Sequence, residues 1–371
     1  MQQQKLLKSF SLGYKQIHAC VNDCCLFRKE LAHSDFCPKC GKSRWKKNRT
    51  KEDGKQAKIA AKVLRYFPII PRLKRMFTSS ETSEQLRWHS NHKSEDGKLR
   101  HPVDSSQWAT IDRTYPSFAS DPRNLRLGIA SDGFNPFGDW NCTYSCWPVL
   151  LVAYNFAPWL CMHKDNMMLS LLIPGPRQPG NDIDVYLQPL IEDLKKLWDE
   201  GVTVYDAYTR SEFRLNAILM WTINDFTAYG NLAGYTVKGK RACPVCGVNT
   251  CSIWLPFSKK CAYLGHRRFL EPNHEYRKRK NLFDGTIENR QRPPVQTGSQ
   301  IFDIVKDICN DWGKKPTEVE KGKEKEKRKR KRENGKKKGS QIWKKKSIFF
   351  DLPYWQVKFN YEIFLVKVIN F

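Results

Sequence analysis

Leu125-Arg126-Leu127-Gly128-Ile129-Ala130 runs directly into Ser131-Asp132-Gly133-Phe134-Asn135-Pro136-Phe137-Gly138. A short apolar run that ends in an acid, followed by Gly, Asn and Pro, reads as a buried strand carrying a carboxylate at its end. A second apolar run, Ile218–Ile223, closes in the same way with Asn224-Asp225-Phe226. Two acids brought together from the ends of core strands are what a divalent-cation phosphodiester site requires, because the cations must be held between converging carboxylates. Taken singly, an Asp before a Gly is more often a turn residue, so Asp132 has a structural reading beside the catalytic one. Asp182, Asp184, Asp206 and Glu212 are the local competitors, with Asp206 the one to test.

Around these acids the pattern is α/β. Strands are expected at 125–132, 147–156 and 166–173, and a helix at 181–200 with Ile183, Tyr186, Leu187, Leu190, Leu194 and Leu197 on its apolar face. Gly201 stops that helix. A short strand at 201–207 and a longer apolar run at 212–224 complete the order: three strands, a helix, then further strand. Upstream, a helix is expected at 81–92, capped by Ser80 or Thr82.

The chain has 371 residues and a net charge of +27. Its segment 314–346 holds 17 Lys/Arg against 5 Asp/Glu, which leaves +15 on the remainder. The basicity therefore belongs to the body as well as to the low-complexity run, and a polyanion, normally nucleic acid, is the economical partner. Segment 314–346 is too polar to bury a core and is expected to be disordered. Lys325–Arg332 with Lys336–Lys338 suits a nuclear import signal or a DNA-binding tail. The longest apolar stretch, Cys146–Met162, contains Pro148, Asn155 and Pro158 and is too short to span a bilayer.

Thirteen cysteines without a secretory signal favour zinc over a disulfide framework. Cys20-x3-Cys24 and Cys37-Pro38-Lys39-Cys40-Gly41 fit a tetrahedral zinc ribbon over 14–50, with Cys25 as spectator. Cys243-x2-Cys246 has the form of a second such site, for which His266 and His274 are the candidate partners, and Cys251 and Cys261 are also available. Arg267, Arg268, Arg277, Lys278, Arg279 and Lys280 form a basic cluster suited to phosphates.

These segments resemble the transposases of CACTA (En/Spm-type) plant DNA transposons over roughly residues 14 to 355. Tyr14 to Lys46 is similar to the zinc-ribbon segment of that family. Gly265-His266-Arg267-Arg268-Phe269-Leu270 and His274-x-Tyr276-Arg277 are similar to its Cys/His insertion. The resemblance implies a ribonuclease H-like catalytic domain in which Asp132 and Asp225 are the first two acids of a triad. It also implies Mg2+ or Mn2+ at the acids, structural Zn2+, and metal-dependent cleavage and strand transfer at transposon ends. Nuclear localisation and DNA as partner follow, with no membrane and a homo-oligomer among the expected assemblies.

The expected organisation is a zinc ribbon at 14–50, a basic connecting segment at 51–120 and a ribonuclease H-like core at 121–239. A Cys/His-rich insertion at 240–312, a basic linker at 313–346 and a last piece at 347–371 follow. The resemblance runs through Ser347-Ile348-Phe349-Phe350-Asp351-Leu352-Pro353-Tyr354-Trp355 and stops before the family's Asp-x2-His element and third acid. The expectation is therefore a partial, catalytically incomplete domain with an unclosed, exposed sheet. Its alternative is a non-enzymatic, zinc-dependent DNA-binding protein. Glu288, Asp303 and Asp307 are the in-chain candidates for a third acid.

Overall fold

The computed structural model describes residues 13–46, 58–138, 144–294, 296–313 and 342–355. Most of the basic run, and Gln356–Phe371, lie outside the described residues, so the import-signal and disorder expectations fall there.

The core is a six-stranded mixed sheet in the order β1-β2-β5-β4-β3-β8. In chain order its strands are β1 (Lys15–His18), β2 (Val63–Tyr66), β3 (Leu125–Ser131), β4 (Trp147–Ala153), β5 (Met168–Ile173) and β8 (Ala217–Ile223). Strands β3, β4 and β5 form an antiparallel meander, and β8 returns parallel to β3 on its other side. A parallel return needs a crossover, and the helix Ile183–Asp199 supplies it. That helix packs on β5 and β8. Gly201, at φ +67°, follows it as the stop read from sequence.

Strand β3 is buried along most of its length, as a central strand covered on both faces must be. Arg126 interrupts its apolar pattern without reaching solvent. Its guanidinium lies 4.6 Å from the Trp108 ring and 5.0 Å from Phe118, and donates to Asp112 Oδ1 at 2.5 Å. A charge is tolerated there because it is both paired and sandwiched by aromatic faces.

Three expectations are corrected. The helix expected at 81–92 ends at Gln85, with Ser79 as its cap, and a separate turn of helix spans Trp88–Asn91. The run 212–224 divides at Asn216 into β7 (Ser211–Leu215), which forms a two-stranded hairpin with β6 (Val202–Asp206), and β8. Asn216 makes the break because its amide donates to Asn124 Oδ1 at 2.9 Å and its side chain to Leu197 O at 3.0 Å. Third, the Cys-rich segment and the connecting segment each contribute a strand to the main sheet, because β1 pairs with β2 and β2 with β5.

The end of the 314–346 run, expected to be disordered and unable to bury a core, and the piece after it also change the picture, because Lys345 finds a buried partner. Lys345, fully buried, pairs with buried Asp184 and donates to Asn181 O at 2.9 Å. Phe349, Phe350, Leu352, Tyr354 and Trp355 join the core. The amide of Leu219, on β8, donates to the Tyr354 hydroxyl at 3.0 Å, and Trp355 Nε1 donates to Leu219 O at 3.2 Å. Backbone groups on the outer side of β8 thus meet side chains at Leu219, where the sequence reading left the sheet uncovered.

Candidate functional site

Asp132 and Asp225 follow β3 and β8, which are hydrogen-bonded parallel neighbours. The last registered pair is Ala130 with Ile223, and each acid lies two residues beyond its member of that pair. Ser131 N donates to Asn224 Oδ1 at 3.2 Å, so the residues immediately before the two acids are joined directly. Ser131 Oγ in turn donates to Pro148 O on β4 at 3.0 Å.

Gly133 is explained by space. Its φ is not among the positive values, and a Cβ there would meet Trp147 Nε1 at 2.6 Å and Ser145 Oγ at 2.8 Å. The β3–β4 register continues past it, from Ser131 opposite Val149 to Phe134 opposite Cys146. Asp132 is therefore level with Pro148, a residue that has no N–H for the ladder. Asp132 is exposed, and its Oδ1 accepts from Gly133 N at 2.6 Å.

Asp225 caps the helix Phe226–Ala233, its Oδ1 accepting from Ala228 N at 3.1 Å. Among the described residues, no third Asp, Glu, His or Cys forms a metal-sized group with these two acids. Glu288 is buried and paired with Arg290 at 2.6 Å, and Asp303 is exposed with Lys306 at 3.1 Å. Asp206, the competitor, is a structural anchor. It accepts from Ser83 at 2.6 Å and Thr209 Oγ1 at 2.7 Å and pairs with Arg87, contacts that hold its carboxyl well below the usual range despite its burial.

Cys20, Cys24, Cys37 and Cys40 converge, with their sulfurs all within 4.8 Å of one another and Cys20 Sγ 3.5 Å from Cys40 Sγ. Zinc–sulfur bonds of about 2.3 Å place tetrahedral sulfurs roughly 3.8 Å apart, so the four thiols fit the ion. Asn22 N points at Cys20 Sγ at 3.4 Å, the knuckle geometry that favours thiolate. Burial nonetheless raises the Cys20 thiol to about 11 against the amides of Asn22 and Cys24, whereas burial at Cys37 is outweighed by the amides of Cys40 and Lys39 together with the Cys40 and Cys20 thiols, which lower it to about 7. Cys25 Sγ lies 3.7 Å from Cys37 Sγ yet stands outside the group of four.

Cys243 and Cys246 form the expected turn, with Cys246 N donating to Cys243 Sγ at 3.4 Å and Gly247 N to Cys243 O at 2.8 Å. Neither His266 nor His274 joins them in a metal-sized group. His266 is exposed, and His274 caps a short helix by accepting from Tyr276 N at 3.1 Å. Cys251 instead receives Arg290 at 3.0 Å and Arg268 at 3.6 Å.

The basic cluster divides in two. Arg267, Arg268 and Arg277 are buried. Arg277 donates to the carbonyls of Leu270, Glu288, Arg290 and Arg268 at 2.8–3.1 Å. Arg267 reaches Arg277 O at 3.2 Å, Thr286 O at 3.0 Å and Asp284 at 2.6 Å. In an insertion with little sheet or helix, these guanidinium groups satisfy carbonyls that no ladder satisfies. Only Lys278, Arg279 and Lys280 remain exposed for phosphate, and Arg279 is paired with Glu275.

No described helix is long and apolar enough to cross a membrane. No curated protein matches the chain in sequence. Residues 96–308, which carry both acids and the Cys243–Cys246 insertion, match the model of the transposase family tnp2. That stretch is more than half of the 371 residues, and the chain therefore belongs to this transposase family.

Proposed function

We propose that this is a CACTA-type member of the family, built on a ribonuclease H-like core, that binds DNA in the nucleus and directs the end of that core at a phosphodiester. The observation that carries the reading is the pair of acids one strand apart, each two residues past the registered pair Ala130–Ile223. The strand order β5-β4-β3-β8, with its antiparallel meander and parallel return, supports the fold assignment.

Asp132 and Asp225 would hold a Mg2+ or Mn2+ ion, which when bound polarises the phosphoryl oxygen and stabilises the leaving one. The chain's own contribution is positional. The Ser131–Asn224 hydrogen bond fixes the two strand ends, and the cap on Ala228 N orients the Asp225 carboxylate. Structural zinc would be held by Cys20, Cys24, Cys37 and Cys40.

A second reading, a DNA-binding protein without cleavage, is favoured by one observation: no third acid joins the pair among the described residues. In-line displacement needs both cations fixed, so two carboxylates support cation binding better than turnover. The test is a salt titration of duplex binding by the full chain, alongside a nicking assay with Mn2+. Binding that weakens steeply with salt and survives deletion of 314–346 supports the reading. Salt-independent binding contradicts it. Robust nicking that disappears in Asp132→Asn would select the enzyme over the binder.

A further inference from the structure

Strands β9 (Ser252–Leu255) and β10 (Lys260–Tyr263) form a two-stranded sheet of their own, joined by the loop Pro256-Phe257-Ser258-Lys259. The hairpin pairs Leu255 with Lys260 and Trp254 with Cys261, so its side chains alternate between two faces. Neither face is buried in a core: Ile253 is 48% exposed, Trp254 53% and Leu255 39%, and Phe257 at the tip is fully exposed. Isolated hairpins are marginal in water, and a run of apolar side chains left in solvent marks a contact surface.

The base of this hairpin is fastened beside Asp225. Tyr263 packs on Phe226, the residue after Asp225, with ring centroids 5.4 Å apart. Tyr263 also donates to Gly239 O at 2.8 Å, and Ser252 Oγ donates to Lys240 O at 2.9 Å. The surrounding sequence has one sign of charge. From Phe226 to Leu264 there is no Asp or Glu, against five exposed Lys and Arg: Lys238, Lys240, Arg241, Lys259 and Lys260.

We propose that the Ser252–Tyr263 hairpin is a nucleic-acid finger whose Phe257 stacks on an unpaired DNA base beside the phosphodiester presented to Asp132 and Asp225. Lys259 and Lys260 meet the phosphates of the same strand. The charge selects a polyanion. The aromatic tip selects a base whose face is open, because a duplex offers its stacked faces only after unpairing. Pro256 stiffens the approach to the tip, which lowers the ordering cost of such a contact. The proposal rests on the DNA-binding reading above and specifies which DNA structure the site prefers.

The test uses the full, zinc-loaded chain with two DNA probes of one sequence, a matched duplex and the same duplex with a central bubble containing 2-aminopurine. The wild type should bind the bubble more tightly and quench the 2-aminopurine. Phe257→Ala should lose on the order of ten-fold in bubble affinity, together with the quenching, while matched-duplex affinity stays within about two-fold. Lys259→Ala with Lys260→Ala should weaken both probes and reduce the salt slope by about two. Phe257 touches no core, so its replacement leaves the fold intact. Unchanged bubble affinity and quenching in Phe257→Ala would overturn this proposal and leave the DNA-binding reading standing. A wild-type oligomer that Phe257→Ala disperses, with bubble affinity unchanged, would assign the hairpin to self-association and also overturn it. Failure of the wild type to bind either probe would overturn both readings.

Discussion

The backbone amide of Ser131 donates to Oδ1 of Asn224 at 3.2 Å, which joins the residues immediately preceding Asp132 and Asp225. The two acids are thereby tied to each other through one hydrogen bond and the β3–β8 ladder, although they lie more than ninety positions apart in sequence.

Asp225 has a structural duty as cap and a proposed one as ligand, and substitution separates them. Asn caps a helix about as well as Asp, whereas Ala costs about 1 kcal/mol at such a position. Asp225→Asn should keep wild-type stability in urea unfolding, and Asp225→Ala should lose about 1 kcal/mol. Equal stability of all three proteins would remove the cap from the account.

Strand β3, the helix Ile183–Asp199 and its Gly201 stop were legible in sequence because their signals are local: an apolar run, a 3.6-residue period and a left-handed glycine. The joining of β1 and β2 to the main sheet was not, because strand pairing between Arg65 and Leu172 leaves no trace in either neighbourhood. The division of 212–224 escaped for a related reason, since Asn216 breaks the run through contacts with Asn124 and Leu197. The convergence of the four N-terminal cysteines was legible because their spacings are those that groups able to hold a metal require. The buried arginines were not, because a guanidinium that holds carbonyls and one that awaits phosphate look alike in a row of letters. His274, a candidate partner for Cys243 and Cys246 in sequence, takes a local role as a cap that the letters do not announce.

Zinc should matter beyond its own segment. Asp23, between the cysteines, receives buried Lys62 at 2.5 Å and is bonded to the Tyr186 hydroxyl, and Arg28 pairs with Glu192 on the long helix. Metal analysis should give one zinc held by this segment, lost in Cys37→Ser and kept in Cys25→Ser. Loss should lower the melting temperature of the whole chain by about 5 °C. A melting curve indifferent to chelation would sever the segment from the body.

Arg277 and Lys278 are neighbours with opposite expectations. Arg277→Ala removes four carbonyl contacts, two of them buried, and should destabilise the insertion by about 3 kcal/mol, read by hydrogen exchange over 265–290. Lys278→Ala should leave exchange unchanged and reduce DNA affinity and its salt slope. The reverse pattern would restore Arg277 to the DNA surface.

Burial, with the Arg126 charge beside it, lowers His89 to about 4. The folded-state value lies below the unfolded one of about 6.5. Between the two the unfolded chain binds more protons, so stability present above pH 6.5 is lost as pH falls toward 4. The share of His89 should be on the order of 3 kcal/mol, beside that of His101, which burial also lowers to about 4, and the total should shrink in His89→Gln. Unfolding free energies measured by urea from pH 7 to pH 4 check it, and a profile identical in the variant would contradict it.

Whether Asp132 and Asp225 form a cation-binding pair is decided by Mn2+ binding to the zinc-loaded chain, followed by electron paramagnetic resonance. One weak Mn2+ site is expected in the wild type, abolished in both Asp132→Asn and Asp225→Asn and retained in Asp206→Asn. A site that survives both substitutions, or that disappears only in Asp206→Asn, would contradict it.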